Sequence, residues 1–471
     1  MDKTQLAVIG AGPGGYVAAF RAADLGFQVT LIDRETNPGG VCLYRGCIPS
    51  KALLHVAKLL NETKEAAAWG IEFSKPKIDL EQLNAWKASV IGKMTGGLGQ
   101  LVKARKIDFV QGTARFVDGQ TLHIEKVGGG EQTLQFEHAV LATGSRPISI
   151  PTFDIGSSRV MNSTGALQLE EIPKSLLVVG GGYIGLELGS VYASLGTKVS
   201  VVEMTPGLIP PADRDLIKPL QTRLEKQFEQ IMLETKVAAL REVTKGIEVD
   251  FEPADGQPFK KSFQKILVSV GRRPNSENLG LENTRIELDP RGFVQVDDQR
   301  RTAEPSIFAI GDLIGSGLAH TASHEGTVAV EVIAGHKTAF EPNAIPAVVF
   351  TDPEIAWCGL TESEAKAQNR TVEVARFPWA ASGRATTLDR NDGLTKLIID
   401  PETERILGVG LVGAGAGELI SEGVLAVEMA ALASDLQLSI HPHPTLSETM
   451  MEAAEVFFGQ SPHLFAPKKP S

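Results

Sequence analysis

Cysteine is scarce. The 471-residue chain has three, Cys42, Cys47 and Cys358, too few for a secreted disulfide scaffold. Positive charge is also short. Lys and Arg number 46 against 57 Asp and Glu, a formal net charge of −11. That balance excludes a nucleic-acid grip or a basic membrane-binding face, both of which need clustered cations. No uncharged apolar run approaches the roughly 18 residues of a bilayer-spanning helix. The N-terminus, Met1-Asp2-Lys3-Thr4-Gln5, passes straight into the strand-like Leu6-Ala7-Val8-Ile9. It shows neither a signal-peptide core nor an Arg/Ser-rich transit segment, so a cytoplasmic location is expected. Glycine, by contrast, is abundant: 48 residues without a collagen period, which must therefore serve particular turns. At about 150 residues per domain, the length corresponds to about three domains.

The glycines organise a duplication. Residues 6–33 run LAVIGAGPGGYVAAFRAADLGFQVTLID, and residues 176–203 run LLVVGGGYIGLELGSVYASLGTKVSVVE, 170 positions further on. Gly10, Gly12 and Gly15 match Gly180, Gly182 and Gly185, and Asp33 matches Glu203. Each copy reads as strand, glycine turn, helix, second strand and acid, the βαβ dinucleotide fingerprint. The first glycine makes the turn, the second admits a pyrophosphate, and the third lets helix and strand pack closely. The helix N-terminus offers free N–H groups to phosphate, and the acid accepts from ribose hydroxyls. Two copies imply two dinucleotides. Thr143-Gly144-Ser145-Arg146-Pro147 and Val270-Gly271-Arg272-Arg273-Pro274 continue the repeat, each with G-x-R-P. The first copy carries 43 extra residues before that motif, and they include Cys42 and Cys47. The boundaries expected are 1–150 and 151–275 for two nucleotide-binding domains, 276–345 for a segment returning to the first, and 346–471 for a C-terminal domain ending in a polar Pro/Lys tail.

The key stretch is Gly39-Gly40-Val41-Cys42-Leu43-Tyr44-Arg45-Gly46-Cys47-Ile48-Pro49-Ser50-Lys51. On an ideal α-helix, residues five apart have Cα atoms about 8.7 Å apart, beyond the roughly 7 Å limit of a disulfide. Pairing Cys42 with Cys47 therefore needs a broken helix, and Gly46 supplies the freedom. Zinc is excluded because no further ligands follow at suitable spacing. Cys358 has no partner in reach and reads as a buried structural thiol. His441-Pro442-His443-Pro444-Thr445-Leu446-Ser447-Glu448 offers a base suited to neutral pH, with an acid able to hold its imidazole.

Taken together, GAGPGG, GGVCLYRGCIPSK, ATGSRP, GGGYIG, GRRPN, IFAIGD, AIPAVVFTDPEIAWCG and HPHPTLSE, in that order, resemble the pyridine nucleotide–disulfide oxidoreductases over essentially the whole chain. Within them the likeness is to the dihydrolipoamide dehydrogenases. The resemblance implies an α/β fold: two Rossmann-like domains, for FAD and NAD, plus a C-terminal α+β dimerisation domain. It implies a Cys42/Cys47 redox disulfide, with Cys42 the interchange thiol and Cys47 the charge-transfer thiol. Lys51 would sit near the flavin, paired with Glu187. FAD would contact Gly10, Gly12, Gly14, Gly15, Asp33 and Arg34 in the first fingerprint, then Gly40, Val41 and Lys51. Ala114, Thr143, Gly144, Ser145, Asp312, Leu318, Ala319 and His320 would complete its site. NAD would lie against Gly180, Gly182, Tyr183, Ile184, Gly185 and Glu187, with Glu203, Val237 and Gly271. The family pattern makes His443 the base, supplied by the partner of a homodimer and held by Glu448; His441 is read as structural.

Glu203 accepts from a free 2′-OH and would repel a 2′-phosphate, and no Arg stands beside it, which favours NAD over NADP. Ile48-Pro49-Ser50-Lys51 follows the lipoamide pattern rather than that of glutathione reductase. Mercuric reductase needs a second cysteine pair near its C-terminus, where this chain has none. The activity implied is oxidation of protein-bound dihydrolipoamide with reduction of NAD. The partners implied are the lipoyl domain and core acyltransferase of a 2-oxoacid dehydrogenase complex, or the glycine cleavage H-protein. Four positions depart from the common pattern: Tyr44 and Arg45 between the cysteines, Tyr183 where a small aliphatic residue is usual, and Pro442 before the base.

Overall fold

A computed structural model describes residues 2–465; the Pro/Lys tail lies outside the described residues. The strand Asp2–Ile9, whose apolar half is Leu6-Ala7-Val8-Ile9, lies inside the first sheet. It pairs in parallel with Val29–Asp33 on one side (Ile9 opposite Ile32) and Glu131–Leu141 on the other (Ala7 opposite Ala139). Asp108–Asp118 adds beyond Val29–Asp33, and Ile307–Ala309 beyond Glu131–Leu141. Both faces of such a sheet are covered, so its strands are apolar throughout: Leu6, Ala7, Val8, Leu31, Ala139 and Val140 are all buried. Asp108–Asp118 and Glu131–Leu141 run on past the parallel sheet and join Thr121–Lys126 in an antiparallel flap.

The second copy repeats the plan. Gln230–Met232, Lys198–Val202, Ser175–Val179, Lys265–Val268 and Val160–Met161 form a parallel five-stranded sheet in that order. The duplication extends to atomic contacts. Gly10 (φ +98°) and Gly180 (φ +107°) each turn in a conformation that suits only glycine. A Cβ at Gly10 would lie 2.3 Å from the Ala142 carbonyl oxygen, and one at Gly180 2.6 Å from that of Ser269. The two G-x-R-P motifs pair with each other, Arg272 opposite Pro147 and Pro274 opposite Ser145, and so splice the two nucleotide units together.

The C-terminal unit is an antiparallel sheet ordered Ala347–Val349, Glu354–Gly359, Ile406–Gly413, Leu394–Ile399, Glu373–Pro378. Helices Ala416–Glu428 and Glu448–Phe457 cover it. Cys358 is buried in this core, and burial pushes its thiol up to about 12. The core is tied to the second nucleotide unit by a buried cation. Lys396 Nζ lies 2.7 Å from Asp213, 2.8 Å from Asp215 and 2.8 Å from Glu362. These three acids have metal-ligating spacing, but the ammonium occupies their centre. Burial disfavours that charge, and the three carboxylates outweigh it and hold the amine above its usual range. Lys396→Met would leave the acids facing one another, two of them half-exposed. A loss of about 3–5 kcal/mol in unfolding free energy is expected, read from urea denaturation of the assembled enzyme.

Candidate active site

The redox stretch folds as two helices rather than one. Cys42 lies on Gly40–Arg45, and Cys47 is the first residue of Cys47–Glu65. Gly46 is the joint. A Cβ there would stand 2.9 Å from the Val41 carbonyl oxygen and 3.3 Å from Cys42 Cα, so only glycine lets the second helix start that close to the first. The break brings together two sulfurs that a continuous helix would separate. Both are free thiols, and they are hydrogen-bonded to each other. That bond and burial push the Cys42 thiol far up. The same bond, donated by Cys42, brings Cys47 down to about 7; Lys51 helps, while burial and Glu187 oppose. The position of Cys47 at the start of a 19-residue helix acts in the same direction. Above about pH 7 the pair thus shares one proton, with the negative charge on Cys47.

A titration checks this. With Cys47 lowered to about 7, the thiolate is present above that pH and is lost as pH falls through it. The reduced protein is expected to show three S–H groups in the infrared below the midpoint and two above it. Cys42 and Cys358 stay protonated throughout, and Cys47→Ser removes the titrating band.

Lys51 follows one helical turn after Cys47, on the same face. Its Nζ lies 2.9 Å and 3.1 Å from the two Glu187 oxygens and 4.4 Å from the centre of the Phe350 ring. Glu187 is 3 % exposed and is the meeting point of three units. It also accepts from Ser50 Oγ at 3.1 Å and from the Phe350 amide at 3.0 Å. A buried carboxylate needs such donors. Sequence reasoning missed Ser50 and Phe350. Both lie inside motifs that were read for resemblance rather than for contact.

His443 Nδ1 is 2.9 Å from Glu448 Oε1, and the Thr445 amide donates to Glu448 Oε2 at 2.7 Å. Burial pushes the Glu448 carboxyl up, but the Thr445 amide and the imidazole outweigh it and hold it below its usual range. His443 is exposed and lines neither cavity described below, so its outer nitrogen is free to face another subunit. His441 is instead held within its own chain, between the Ser439 carbonyl at 2.9 Å and Glu422 at 2.8 Å.

Two cavities meet at Tyr183, Ile184 and Arg272, and the dithiol lies on the wall of the larger. The larger, of about 1170 Å³, is lined by Gly10, Gly12, Gly14, Asp33, Arg34, Gly40 and Val41, by both cysteines, and by Lys51, Ala114, Thr143, Gly144, Ser145, Asp312, Ala319 and Glu187. Arg45 and Arg272, given no place in a cofactor site from sequence, also line it. Gly15 stands behind it, where a Cβ would lie 1.8 Å from the Gly10 oxygen. His320 lines neither cavity; its Nε2 meets the Pro346 carbonyl at 2.9 Å. The smaller cavity, of about 740 Å³, is lined by Gly180, Gly182, Tyr183, Ile184, Glu203, Val237 and Gly271, with Leu318 on its far side. Leu318 therefore faces the second cavity, and Glu187 the first. Gly185 packs against Ser269, where a Cβ would lie 2.5 Å from Oγ. Tyr183 walls both cavities, and burial there pushes its phenol up to about 12, so it stays neutral.

Each cavity fits a dinucleotide. The helices Pro13–Asp24 and Tyr183–Leu195 begin at Gly12 and Gly182 with no capping side chain and no acid in the first turn, which leaves their N–H groups for phosphate. A Cβ at Gly40 (φ +54°) would come within 2.5 Å of Gly12 Cα, so two bare backbones form the floor of the larger cavity. Asp33 and Glu203 act alike: each accepts from a glycine-loop amide at 2.6 Å, Ala11 and Gly181 respectively. Each also accepts from the amide two residues on, at 3.0 Å and 2.8 Å. The carboxylates thus shape the loops and keep lone pairs for a ribose.

Electrons leaving such a dithiol have two dinucleotide seats to move through, the layout of a nucleotide-dependent disulfide oxidoreductase. The chain belongs to the pyridine nucleotide-disulphide oxidoreductase family, whose model matches residues 4–326, with the family's dimerisation domain at residues 345–454. The dimerisation domain supports a homodimer, and no helix among the described residues is long and apolar enough to cross a membrane. It is 49 % identical to the dihydrolipoyl dehydrogenase of Haemophilus influenzae, over 97 % of this chain and 95 % of the relative. It is 45 % identical to that of Geobacillus stearothermophilus, over 98 % of each. Among solved structures it is similar to LpdA from Mycobacterium tuberculosis (TM-score 0.89, 26 % identity, 96 % of this chain and 99 % of the other). It is also similar to the HOCl-induced flavoprotein disulfide reductase RclA from Escherichia coli (TM-score 0.85, 27 % identity, 96 % and 99 %).

Proposed function

We propose that this chain is a dihydrolipoyl dehydrogenase, which oxidises protein-bound dihydrolipoamide and reduces NAD. The observation that carries this is the Cys42–Cys47 pair on the wall of a dinucleotide cavity, with Cys47 held near 7. The relatives that share 45–49 % of its residues bear that name. Residues 1–150 and 276–345 would form the FAD side, 151–275 the NAD side, and 346–471 the interface. The glycines, Asp33, Arg34, Lys51, Thr143, Ser145 and Asp312 of the larger cavity would hold FAD. The residues of the smaller one, Glu203 included, would hold NAD. When bound, FAD accepts the electron pair of the dithiol, and NAD carries it away as hydride.

The chain's own residues do the rest. In the oxidised pair, Cys42 is the sulfur attacked, because its thiolate is the poorer leaving group of the two. The partner's His443 takes the proton of one dihydrolipoamide thiol, and the resulting thiolate attacks Cys42. The Cys42–Cys47 bond breaks, and Cys47 leaves as the thiolate that Lys51 and the Cys47–Glu65 helix N-terminus stabilise. The second dihydrolipoamide thiol then attacks the lipoyl sulfur bound to Cys42 and displaces Cys42, which takes the proton held by His443; His443 in turn takes the proton of that second thiol and later releases it to solvent. Lipoamide departs, and the pair is left reduced. A cytoplasmic setting suits a chain with only three cysteines and no disulfide scaffold. The partners would be the lipoyl domain and core acyltransferase of a 2-oxoacid dehydrogenase complex, or the glycine cleavage H-protein.

Steady-state assays test the reading. Dihydrolipoamide with NAD is expected to turn over, while glutathione with NADP is not. Turnover of glutathione disulfide with NADPH in preference to lipoamide with NADH would overturn it.

A further inference from the structure

A buried polar chain runs from the C-terminal core to the His443 loop. Trp379 Nε1 donates to Thr395 Oγ1 at 2.9 Å. Thr395 Oγ1 donates to Thr449 Oγ1 at 2.8 Å. Thr449 Oγ1 donates to the Leu446 carbonyl at 2.7 Å. All three side chains are 0 % exposed. The ends fix the direction: an indole N–H can only donate and a carbonyl can only accept, so each hydroxyl between them must accept one bond and give one. Such a one-way chain has a single arrangement, and breaking any link strands a buried group without water.

The indole is seated with little tolerance. A Cβ at Gly393 would lie 2.2 Å from the Trp379 ring, and one at Gly413 2.1 Å from it. The far end of the chain fixes the backbone that presents the base. The Leu446 carbonyl also accepts from the Thr449 amide at 3.2 Å, closing the turn on which the helix Glu448–Phe457 begins. Glu448, the first residue of that helix, grips His443 with one oxygen and the Thr445 amide with the other. Thr445 Oγ1 in turn donates to the Pro442 carbonyl at 2.8 Å. Both sides of the imidazole's attachment thus trace back to Thr449.

We infer that Trp379, Thr395 and Thr449 are positioning residues for the His443–Glu448 base, acting as a one-way buried hydrogen-bond chain that holds the 442–449 turn in register. This rests on the proposed role of His443. Effective proton transfer needs the base within hydrogen-bond reach of the thiol, and a displacement of about 1 Å costs up to about 100-fold.

The test compares Thr395→Val, Thr395→Ser, Trp379→Phe and His443→Gln in the FAD-loaded dimer. Thr395→Val keeps the shape and removes the hydroxyl. Its kcat for dihydrolipoamide is expected to fall about tenfold with KM within about twofold, because geometry is lost and not substrate binding. NADH oxidation by ferricyanide, which uses no base, should match the parent. Thr395→Ser restores donor and acceptor and should recover kcat. Parental kcat in Thr395→Val, with His443→Gln strongly impaired, overturns the positioning role and leaves the base intact. Parental kcat in His443→Gln instead removes the base reading itself. Should Thr395→Val fail to retain FAD, Trp379→Phe decides. It cuts only the first link, and a kcat equal to the parent's overturns the inference.

Discussion

Cys42→Ser is expected to lower kcat for dihydrolipoamide by at least about a thousandfold while FAD stays bound. A serine hydroxyl forms no bond that a thiolate can exchange, so the first covalent step disappears. The cavity floor, set by Gly12, Gly40 and the uncapped helix at Gly12, is untouched. NADH oxidation by ferricyanide should therefore persist, because it runs between the two nucleotide seats and bypasses the pair. Stopped-flow reduction by NADH and by dihydrolipoamide separates the halves: the first should proceed in the variant and the second should not. Reduction by dihydrolipoamide at the parental rate would refute the role given to Cys42. Cys42→Ala, unlike Cys42→Ser, removes the donor that holds Cys47 down; its Cys47 midpoint should rise toward that of an ordinary thiol, read by the same infrared titration.

The second large effect is expected of His443→Gln. Glutamine keeps a polar group at the turn and cannot take the thiol proton. General-base assistance amounts to about 10²–10⁴-fold, and kcat/KM for dihydrolipoamide should fall within that range near neutral pH. The deficit should shrink as pH rises and the substrate thiol ionises without help. A loss that stays constant from neutral pH to well above it would point to a structural role instead. Because the base would come from the partner subunit, mixed dimers supply a sharper check. A Cys42→Ser chain paired with a His443→Gln chain has one complete site if the base crosses the interface, and none if it does not. The heterodimer should therefore regain about half the parental rate, a value set by counting sites.

Much of the fold was legible in local sequence. The two fingerprints announce themselves because only glycine takes φ near +100° at Gly10 and Gly180, or tolerates a carbonyl 2.3–2.6 Å from the missing Cβ. The break at Gly46 follows once Cys42 and Cys47 are taken as a pair, since five residues of continuous helix hold their Cα atoms too far apart for a disulfide. The adjacency of His443 and Glu448 was readable because both lie on one short turn. The contacts that escaped notice join residues far apart in the chain. Beside the expected Lys51, Glu187 draws Ser50 Oγ and the Phe350 amide from two other units, and nothing in the neighbourhood of Phe350 marks its backbone as a donor. Arg272 reads as part of a motif, yet its guanidinium spans to Ser145 at 2.8 Å because the two G-x-R-P strands pair. Lys396 looks like any charged residue in a strand until three acids from distant segments surround it.

By itself the sequence determined the backbone turns and the reactive groups: where glycine alone fits, where two thiols lie in reach, and where an imidazole has an acid beside it. These are short-range matters, settled by sterics and spacing within a few residues. Tertiary structure decided which thiol carries the charge, which cavity each side chain faces, and what anchors the base. Those outcomes depend on burial and on partners brought from 54 to 163 positions away in the chain, and electrostatics in a folded interior answers to distance in space and not along the chain.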